Sequence, residues 1–149
     1  MKQNTTKTLF IFLMAFLGIG AIGGGGVFII SPDGSLIGMP VSILANSPFD
    51  NFLIPGIILF TVLGLTPILL AMALYKKTPM AWPERLNFFS DMLWPWSYSI
   101  YVAFALIVWL QVQMTILQAV HWLHTFYMFY AIVIIFIGLL PGVRGWYKK

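Results

Sequence analysis

Long apolar runs alternate with short polar connections along the chain, in a pattern that predicts membrane-spanning helices. The runs cover residues 8–30, 52–75, 96–119 and 125–140. A helix that crosses a bilayer needs about 20 mostly apolar residues, and no Asp, Glu, Lys, Arg or His falls inside any run. The pattern therefore predicts an all-α fold: a single domain, residues 1–149, built as an integral membrane bundle of four transmembrane helices.

Composition supports a membrane protein and limits its chemistry. The chain is 60% hydrophobic and 8% charged, whereas a soluble domain carries about 25% charged residues. Four spans would use more than half of the chain, which leaves no room for a second, soluble domain. The absence of cysteine excludes disulfides, thiol redox chemistry and thiolate metal ligands.

The basic residues all fall in segments that would share one side of the membrane. They are Lys2, Lys7, Lys76, Lys77, Arg85, Arg144, Lys148 and Lys149. Because short loops rich in Lys and Arg stay in the cytoplasm, we expect a multi-pass protein of the cell (inner) membrane with both termini cytoplasmic. This topology also accounts for the net charge of +4, so the expected partner is the lipid bilayer and not nucleic acid.

Two connections are too apolar to be plain solvated loops. In residues 31–51, the turn signature Ser31-Pro32-Asp33-Gly34 precedes an apolar stretch, which we expect to fold back as a short helix at the bundle's end. In residues 76–95, Pro83-Glu84-Arg85 resembles a first helical turn, and spaced apolar residues follow it. A short amphipathic helix along the inner membrane surface is therefore predicted there.

Small residues crowd the second half of the first span. Gly20 with Gly24, and Ala21 with Gly25, have the four-residue spacing that lets two membrane helices approach closely. The cluster predicts a tight packing face, or a thin wall against which a lipid tail or cofactor lies. The run of four glycines that ends at Gly26 also predicts a weakened, bent outer end of this helix.

Pro67 lies near the centre of the second span, directly after Thr66. Proline removes one backbone hydrogen bond and kinks a helix. Membrane helices tolerate this when a hydroxyl group or a neighbouring helix satisfies the freed carbonyl. The sequence predicts a kink here that shapes packing, with a hinge as the alternative.

Polar residues gather at the predicted outer ends of spans two and three. They are Asp50, Asn51, Gln111, Gln118, His121 and His124, with Gln113 nearby. Gln111 and Gln118 are seven residues apart and share a helical face. Because adjacent helices run antiparallel, we expect these six candidate ligand-binding residues to lie near one another. They would form cross-helix hydrogen bonds, or a polar-headed pocket for a lipid, quinone or other amphiphile.

Catalytic and metal chemistry have little support in the sequence. His121 and His124 are three apart, so they share a helical face, but a metal site would need further ligands such as Asp33 or Asp50. We expect neither a metal nor a cofactor, and we interpret the histidines as polar residues at a helix break. No nucleophile motif or phosphate loop is present, and no carboxylate in a span could serve a proton-coupled transporter.

The chain resembles small bacterial four-helix membrane proteins described as DoxX-like, a mostly uncharacterised group. The resemblance rests on Asp33-Gly34, Ser47-Pro48-Phe49-Asp50 leading into Leu53-Ile54-Pro55-Gly56, and Val108-Trp109 with Gln111. It implies an integral four-helix bundle and no agreed activity. DoxX-like proteins are linked to terminal-oxidase or thiol-stress assemblies, and the lack of cysteine argues against a direct thiol role here.

The function expected from these features is non-enzymatic. Aromatic density, glycine faces and short structured loops favour an accessory or assembly subunit of a larger membrane complex, with protein partners or further copies of the same chain. A binding protein or carrier for a hydrophobic ligand, using the outer polar residues, is the alternative. A membrane-embedded enzyme acting at the same place is the third hypothesis.

Overall fold

Four long apolar helices account for most of the structure, a computed structural model that describes residues 3–149. The second long helix is divided in two, and two short helices are also present. In chain order the α-helical segments are α1 (Gln3–Ile30), α2 (Leu53–Phe60), α3 (Thr66–Lys76), α4 (Ala81–Glu84), α5 (Trp94–Leu117), α6 (Trp122–Leu139) and α7 (Pro141–Tyr147). A π-helical segment, Thr61–Leu65, joins α2 and α3 into one long second helix. The predicted all-α fold is confirmed for the described residues, in which the only β-type pairing is an isolated bridge between Met92 and Lys148.

The stretches long and apolar enough to cross a membrane are Asn4–Ile30, Leu53–Lys76, Trp94–Leu117 and Trp122–Leu139. They lie within a few residues of the four predicted runs. The last one begins earlier than predicted, because His121 ends the preceding turn and caps α6. Proline stands in the first turn of α5 and of α7, where its missing N–H leaves no helical hydrogen bond unmade.

The four spans pack in a ring in chain order. Helix α1 contacts both halves of the second span, α3 contacts α5, α5 contacts α6, and α6 returns to α1. The largest buried side chains belong mainly to one half of this bundle, the half nearer the chain ends. They include Phe10, Met14, Leu74, Trp96, Ile134 and Tyr147.

Glycine contacts hold α1 against the second span at some, but not all, of the predicted positions. A Cβ on Gly18 would stand 2.7 Å from the Gly64 carbonyl oxygen, and a Cβ on Gly25 would stand 2.7 Å from that of Gly56. A Cβ on Gly24 would meet only Leu59, at 3.5 Å, and Gly20 is exposed on another face. The close face therefore consists of Gly18, Ala21 and Gly25. It includes the predicted pair of Ala21 with Gly25, whereas the predicted pair of Gly20 with Gly24 does not lie on it.

The glycine run does not interrupt the first helix, although glycine lowers helix stability. Helix α1 continues unbroken through Gly26 to Ile30. Its outer end packs on the start of the second span, where the rings of Phe28 and Phe52 stack with centroids 4.9 Å apart. This packing stabilises helical backbone that glycine alone would leave weak.

A π-helical segment precedes Pro67. Thr66 Oγ1 donates a hydrogen bond of 3.0 Å to the Thr61 carbonyl, and Thr61 Oγ1 donates one of 2.7 Å to the Ile57 carbonyl. These hydroxyls supply donors where the proline and the wide turn disturb the regular helical pattern. Thr66 is therefore a hydrogen-bond donor at this break, but its acceptor, the Thr61 carbonyl, also accepts from the Thr66 N–H and is not the carbonyl that Pro67 leaves free.

The two long connections are less helical than predicted. Residues 31–51 contain only short 3-10 turns, Ser35–Ile37 and Val41–Leu44. Leu44, at the end of the second turn, is buried against the bundle. In the second connection, helix α4 ends at Glu84, and the predicted amphipathic helix after it is absent. The reason is Asn87, whose side chain bonds Glu84, the Met92 carbonyl and the Phe89 N–H and so competes with helical backbone bonds.

The described basic residues gather at one end of the bundle. Lys7 and Lys77 both stack on Trp146, and Lys149 pairs with Glu84. We call this end, which includes α4 and α7, the basic end, and the opposite end, with residues 31–52 and 118–121, the outer end. Lys2, which was counted among the basic residues of the sequence, lies outside the described residues.

Candidate functional site

The predicted polar residues of the outer end do not form one hydrogen-bonded cluster in the described chain. Asp50 and Gln118 are exposed, and neither side chain takes part in a hydrogen bond within the described chain. Asn51 is also exposed, and its Oδ1 accepts a hydrogen bond of 2.9 Å from the Leu53 N–H. This bond satisfies one of the free amides at the start of α2, so Asn51 serves its own helix terminus.

Gln111 lies on the exposed surface of α5 and has a local partner. Its Nε2 is 3.5 Å from Thr115 Oγ1, and that hydroxyl donates to the Gln111 carbonyl at 2.9 Å. Both contacts stay within one helical turn. The hydrogen bonds of Gln111 therefore stay on its own helix, and none of them reaches the second span.

His121 and His124 form a reciprocal cap at the start of α6. The His121 N–H donates to His124 Nδ1 at 2.9 Å, and the Leu123 N–H donates to His121 Nδ1 at 3.4 Å. His124 is buried, whereas His121 is exposed. Each ring nitrogen that accepts a backbone N–H is occupied in helix capping, which agrees with the interpretation of these residues as polar groups at a helix break.

Among the six candidate residues, the described chain joins only the two histidines by a hydrogen bond. Within the described part of the chain, no three His, Cys, Asp or Glu side chains lie together as metal ligands would. Three of the six, Asn51, His121 and His124, bond to backbone groups at helix termini, which buried or interfacial backbone groups require.

A small cavity of about 60 Å³ does lie at the outer end, between the second span, α5 and the 31–52 connection. Its walls include Phe28, Phe52, Leu59, Trp109 and Gln113. Gln113 is the amide that lines this cavity, and it was not among the six candidate residues. Its four-residue spacing from Trp109 on α5 is the signal that could have indicated a shared face.

Trp109 carries a buried hydrogen-bond donor without a partner in the described chain. Its Nε1 has essentially no exposed surface and no acceptor within reach. An unpaired buried polar group costs about 1–3 kcal/mol, and tryptophan N–H groups in apolar surroundings usually find an acceptor. The indole and the Gln113 amide line the same cavity.

The basic end contains the most connected polar network. Glu84 accepts hydrogen bonds from Lys149 Nζ at 2.8 Å, from Asn87 Nδ2 at 3.0 Å and from the Trp94 N–H at 3.2 Å. Burial by itself would raise the pKa of Glu84, but these three donors and the Lys149 charge outweigh it and hold the pKa below its ordinary value. Asn87 extends the network to Ser97 through a bond of 2.5 Å.

Aromatic donors at the basic end satisfy the last carbonyl groups of neighbouring helices. Tyr147 Oη donates to the Leu74 carbonyl at 3.0 Å, and Trp96 Nε1 donates to the Gly138 carbonyl at 2.8 Å. Leu74 and Gly138 stand in the final turns of α3 and α6, where carbonyls lack helical partners. Burial raises the pKa of Tyr147, so its hydroxyl remains a donor at physiological pH.

The C-terminal residues are paired with the connection that precedes α5. The Leu93 N–H donates to the Tyr147 carbonyl at 2.8 Å, and the Lys149 N–H donates to the Asp91 carbonyl at 2.9 Å. Arg144 lies 3.6 Å from the Asp91 carboxylate. Beside this pairing is an open cleft of about 350 Å³, whose lining includes Lys77, Met80 and Trp94.

Comparison of the chain with protein-family models, with curated proteins and with solved structures found no match. The resemblance to DoxX-like proteins therefore stays a prediction. What can be said of function depends on the arrangement of the residues described above.

Proposed function

We propose that this protein is a non-enzymatic subunit of a larger membrane complex, inserted in the inner membrane with its basic end in the cytoplasm. The observation that carries the proposal is the hydrogen bonding of the outer polar residues. Asn51, His121 and His124 bond to helix termini, and the cavity beside them, of about 60 Å³, is far smaller than the roughly 300–1,000 Å³ of typical ligand pockets. An interior of this kind supports a structural role better than catalysis.

An exposed aromatic face is the surface on which we expect a partner. Phe12 and Phe16 of α1 stack with centroids 6.0 Å apart, and Phe16 continues to Tyr130 of α6 at 6.1 Å. Phe126 adds a further ring, 6.1 Å from Tyr130. In lipid, helices associate through close packing because no hydrophobic gain drives them together. A continuous row of rings on two helices suits packing against a transmembrane helix of another subunit.

Site-specific photocrosslinking in native membranes tests this proposal. A benzophenone amino acid in place of Phe12 should give a protein adduct, identified by mass spectrometry. The same replacement at Phe104 is the matched control, because the two phenylalanines are similarly exposed, at 58% and 54%, and Phe104 lies on α5. Lipid adducts alone at both positions would contradict the accessory role, whereas an adduct of twice the chain mass would identify a homo-oligomer.

A ligand-binding role is the second candidate, and the unpaired Trp109 N–H favours it. Trp109 and Gln113 line one small cavity, and we expect the unpaired Nε1, after a small shift of the indole, and the Gln113 amide to hold the carbonyl or ester oxygen of an amphiphile whose apolar part lies in the bilayer. The test is mass spectrometry of lipids and quinones that copurify in mild detergent. Trp109→Phe and Gln113→Leu should each reduce the amount of the same copurifying lipid or quinone. Gln111→Leu, on the exposed face of α5, should not reduce it. Equal lipid content in all variants would reject this role.

A further inference from the structure

Two lysine ammonium groups from different helices converge on one indole at the basic end. Lys7 Nζ lies 3.7 Å from the centroid of the Trp146 ring, and Lys77 Nζ lies 4.2 Å from it. Because both nitrogens lie so close to the same ring centroid, the distance between them is no more than one Debye length, which is about 8 Å at physiological salt. Each gains a cation–π interaction, but the two positive charges repel.

The carboxylates of the basic end are already paired with other cations. Glu84 binds Lys149 at 2.8 Å, and Asp91 lies 3.6 Å from Arg144. In residues 3–149, neither Lys7 nor Lys77 forms a salt bridge. The remaining acids, Asp33 and Asp50, belong to the outer end. Lys7 and Lys77 therefore share a local excess of positive charge that the described chain does not neutralise.

The backbone at Lys77 is unusual for a lysine. Its φ of 50° and ψ of 45° are left-handed, a conformation in which helices commonly end with glycine because a side chain is disfavoured there. Glycine at this position would relieve the strain but would remove the ammonium group. Lysine instead directs a second positive charge to Trp146 from the end of α3.

We propose that Lys7, Lys77 and Trp146 form a binding site for a phosphate-bearing anion, which we assign to the headgroup of an anionic phospholipid beside the basic end. Tryptophan and lysine at the ends of membrane helices lie at headgroup depth, where lipid phosphates are the most abundant anions. One phosphate group can accept from both ammonium groups and so removes their repulsion. The site requires insertion of the bundle in a bilayer, but it does not depend on the accessory role.

Native mass spectrometry of the full chain in detergent, titrated with phosphatidylglycerol or with phosphatidylcholine of the same acyl chains, tests the proposal. The wild type should bind phosphatidylglycerol more tightly. Lys7→Gln and Lys77→Gln should each weaken that binding about fivefold, since each basic residue near an anionic surface contributes about 1 kcal/mol. Binding of phosphatidylcholine, whose headgroup has no net charge, should not change.

Lys148→Gln is the matched control, because it removes the same charge from an exposed residue of the basic end that does not stack on Trp146. An equal loss with this variant would show that only net charge matters, and would overturn the site. Unchanged binding in Lys7→Gln and Lys77→Gln would overturn it as well. Lys77→Arg keeps the charge and should bind like the wild type, which supports an electrostatic cause.

Inorganic phosphate distinguishes the two sources of the anion. If millimolar phosphate displaces phosphatidylglycerol and this competition requires Lys7 and Lys77, the anion site stands but free phosphate is a competing ligand. If phosphate has no effect while the lysine dependence holds, the lipid headgroup is the ligand. Photocrosslinking at Phe12 reports the accessory role separately, so either proposal can fail without the other.

Discussion

Gly25 of the first helix and Gly56 of the second span meet backbone to backbone. A Cβ added to Gly25 would stand 2.7 Å from the Gly56 carbonyl oxygen and 2.6 Å from the Phe60 nitrogen. Neither of these backbone atoms can move aside as a flexible side chain would. The contact explains why a glycine is needed at residue 25, and it distinguishes that residue from the glycines beside it.

We expect Gly25→Leu to lower the melting temperature of the purified protein in mild detergent. Overpacking of a close contact costs about 1–3 kcal/mol, and here the obstacle is backbone. Gly23→Leu is the control, since nothing lies within 4 Å of a Cβ at Gly23 and both changes raise helix propensity by a similar amount. Equal melting temperatures for the two variants would contradict the helix contact described here.

The orientation of the bundle can be tested with single cysteines, because the chain has none of its own. Ser42 and Ser90 are exposed at the outer and basic ends, and Ser→Cys is a small change. A membrane-impermeant maleimide should label Ser42→Cys in intact cells and Ser90→Cys only after permeabilisation. The reverse pattern would invert the proposed topology, and external labelling of both would contradict a four-span arrangement.

Tyr147→Phe removes one buried hydroxyl and should destabilise the basic end. Tyr147 is 0% exposed, and its Oη is the donor that reaches the Leu74 carbonyl in the last turn of α3. Loss of the donor leaves that carbonyl unsatisfied, which costs about 1–3 kcal/mol. Tyr75→Phe, at a residue that is 79% exposed, should change stability by less than about 0.5 kcal/mol. Thermal unfolding of both variants provides the comparison.

The Glu84 network should make the basic end sensitive to acid. The pKa of Glu84 is lowered from its ordinary value of 4.5, so the folded state favours the ionised form. The resulting stabilisation is fully present above the unfolded pKa and is lost as pH falls through the folded pKa.

We expect the melting temperature to fall below about pH 4.5, and Glu84→Gln to remove part of this fall. Asp91→Asn is the control, because its pair with Arg144 is longer, at 3.6 Å, and half exposed. Acid profiles that are identical for the wild type and Glu84→Gln would contradict this role.

The sequence located the helices well because span length and the absence of charge are local properties. A stretch without ionisable groups that is long enough to cross a bilayer must satisfy its own backbone, and a helix does so within the segment. The same local reasoning recognised His121 and His124 as residues of a helix break. It was less accurate for residues 85–93, because a single side chain, Asn87, offers the backbone partners that a helix would otherwise provide.

The chain alone therefore determined how many long apolar helices form and approximately where each begins and ends, while only the tertiary structure decided which faces meet. In a soluble protein the apolar stripe of a helix marks its buried side, but a membrane helix is apolar all round. Periodicity could not choose between the pair of Gly20 with Gly24 and the pair of Ala21 with Gly25, or show that Gly18 belongs to the face that meets the second span. Nor could it bring Trp146 to both Lys7 and Lys77, since residues so distant along the chain are brought together only when the whole bundle has packed.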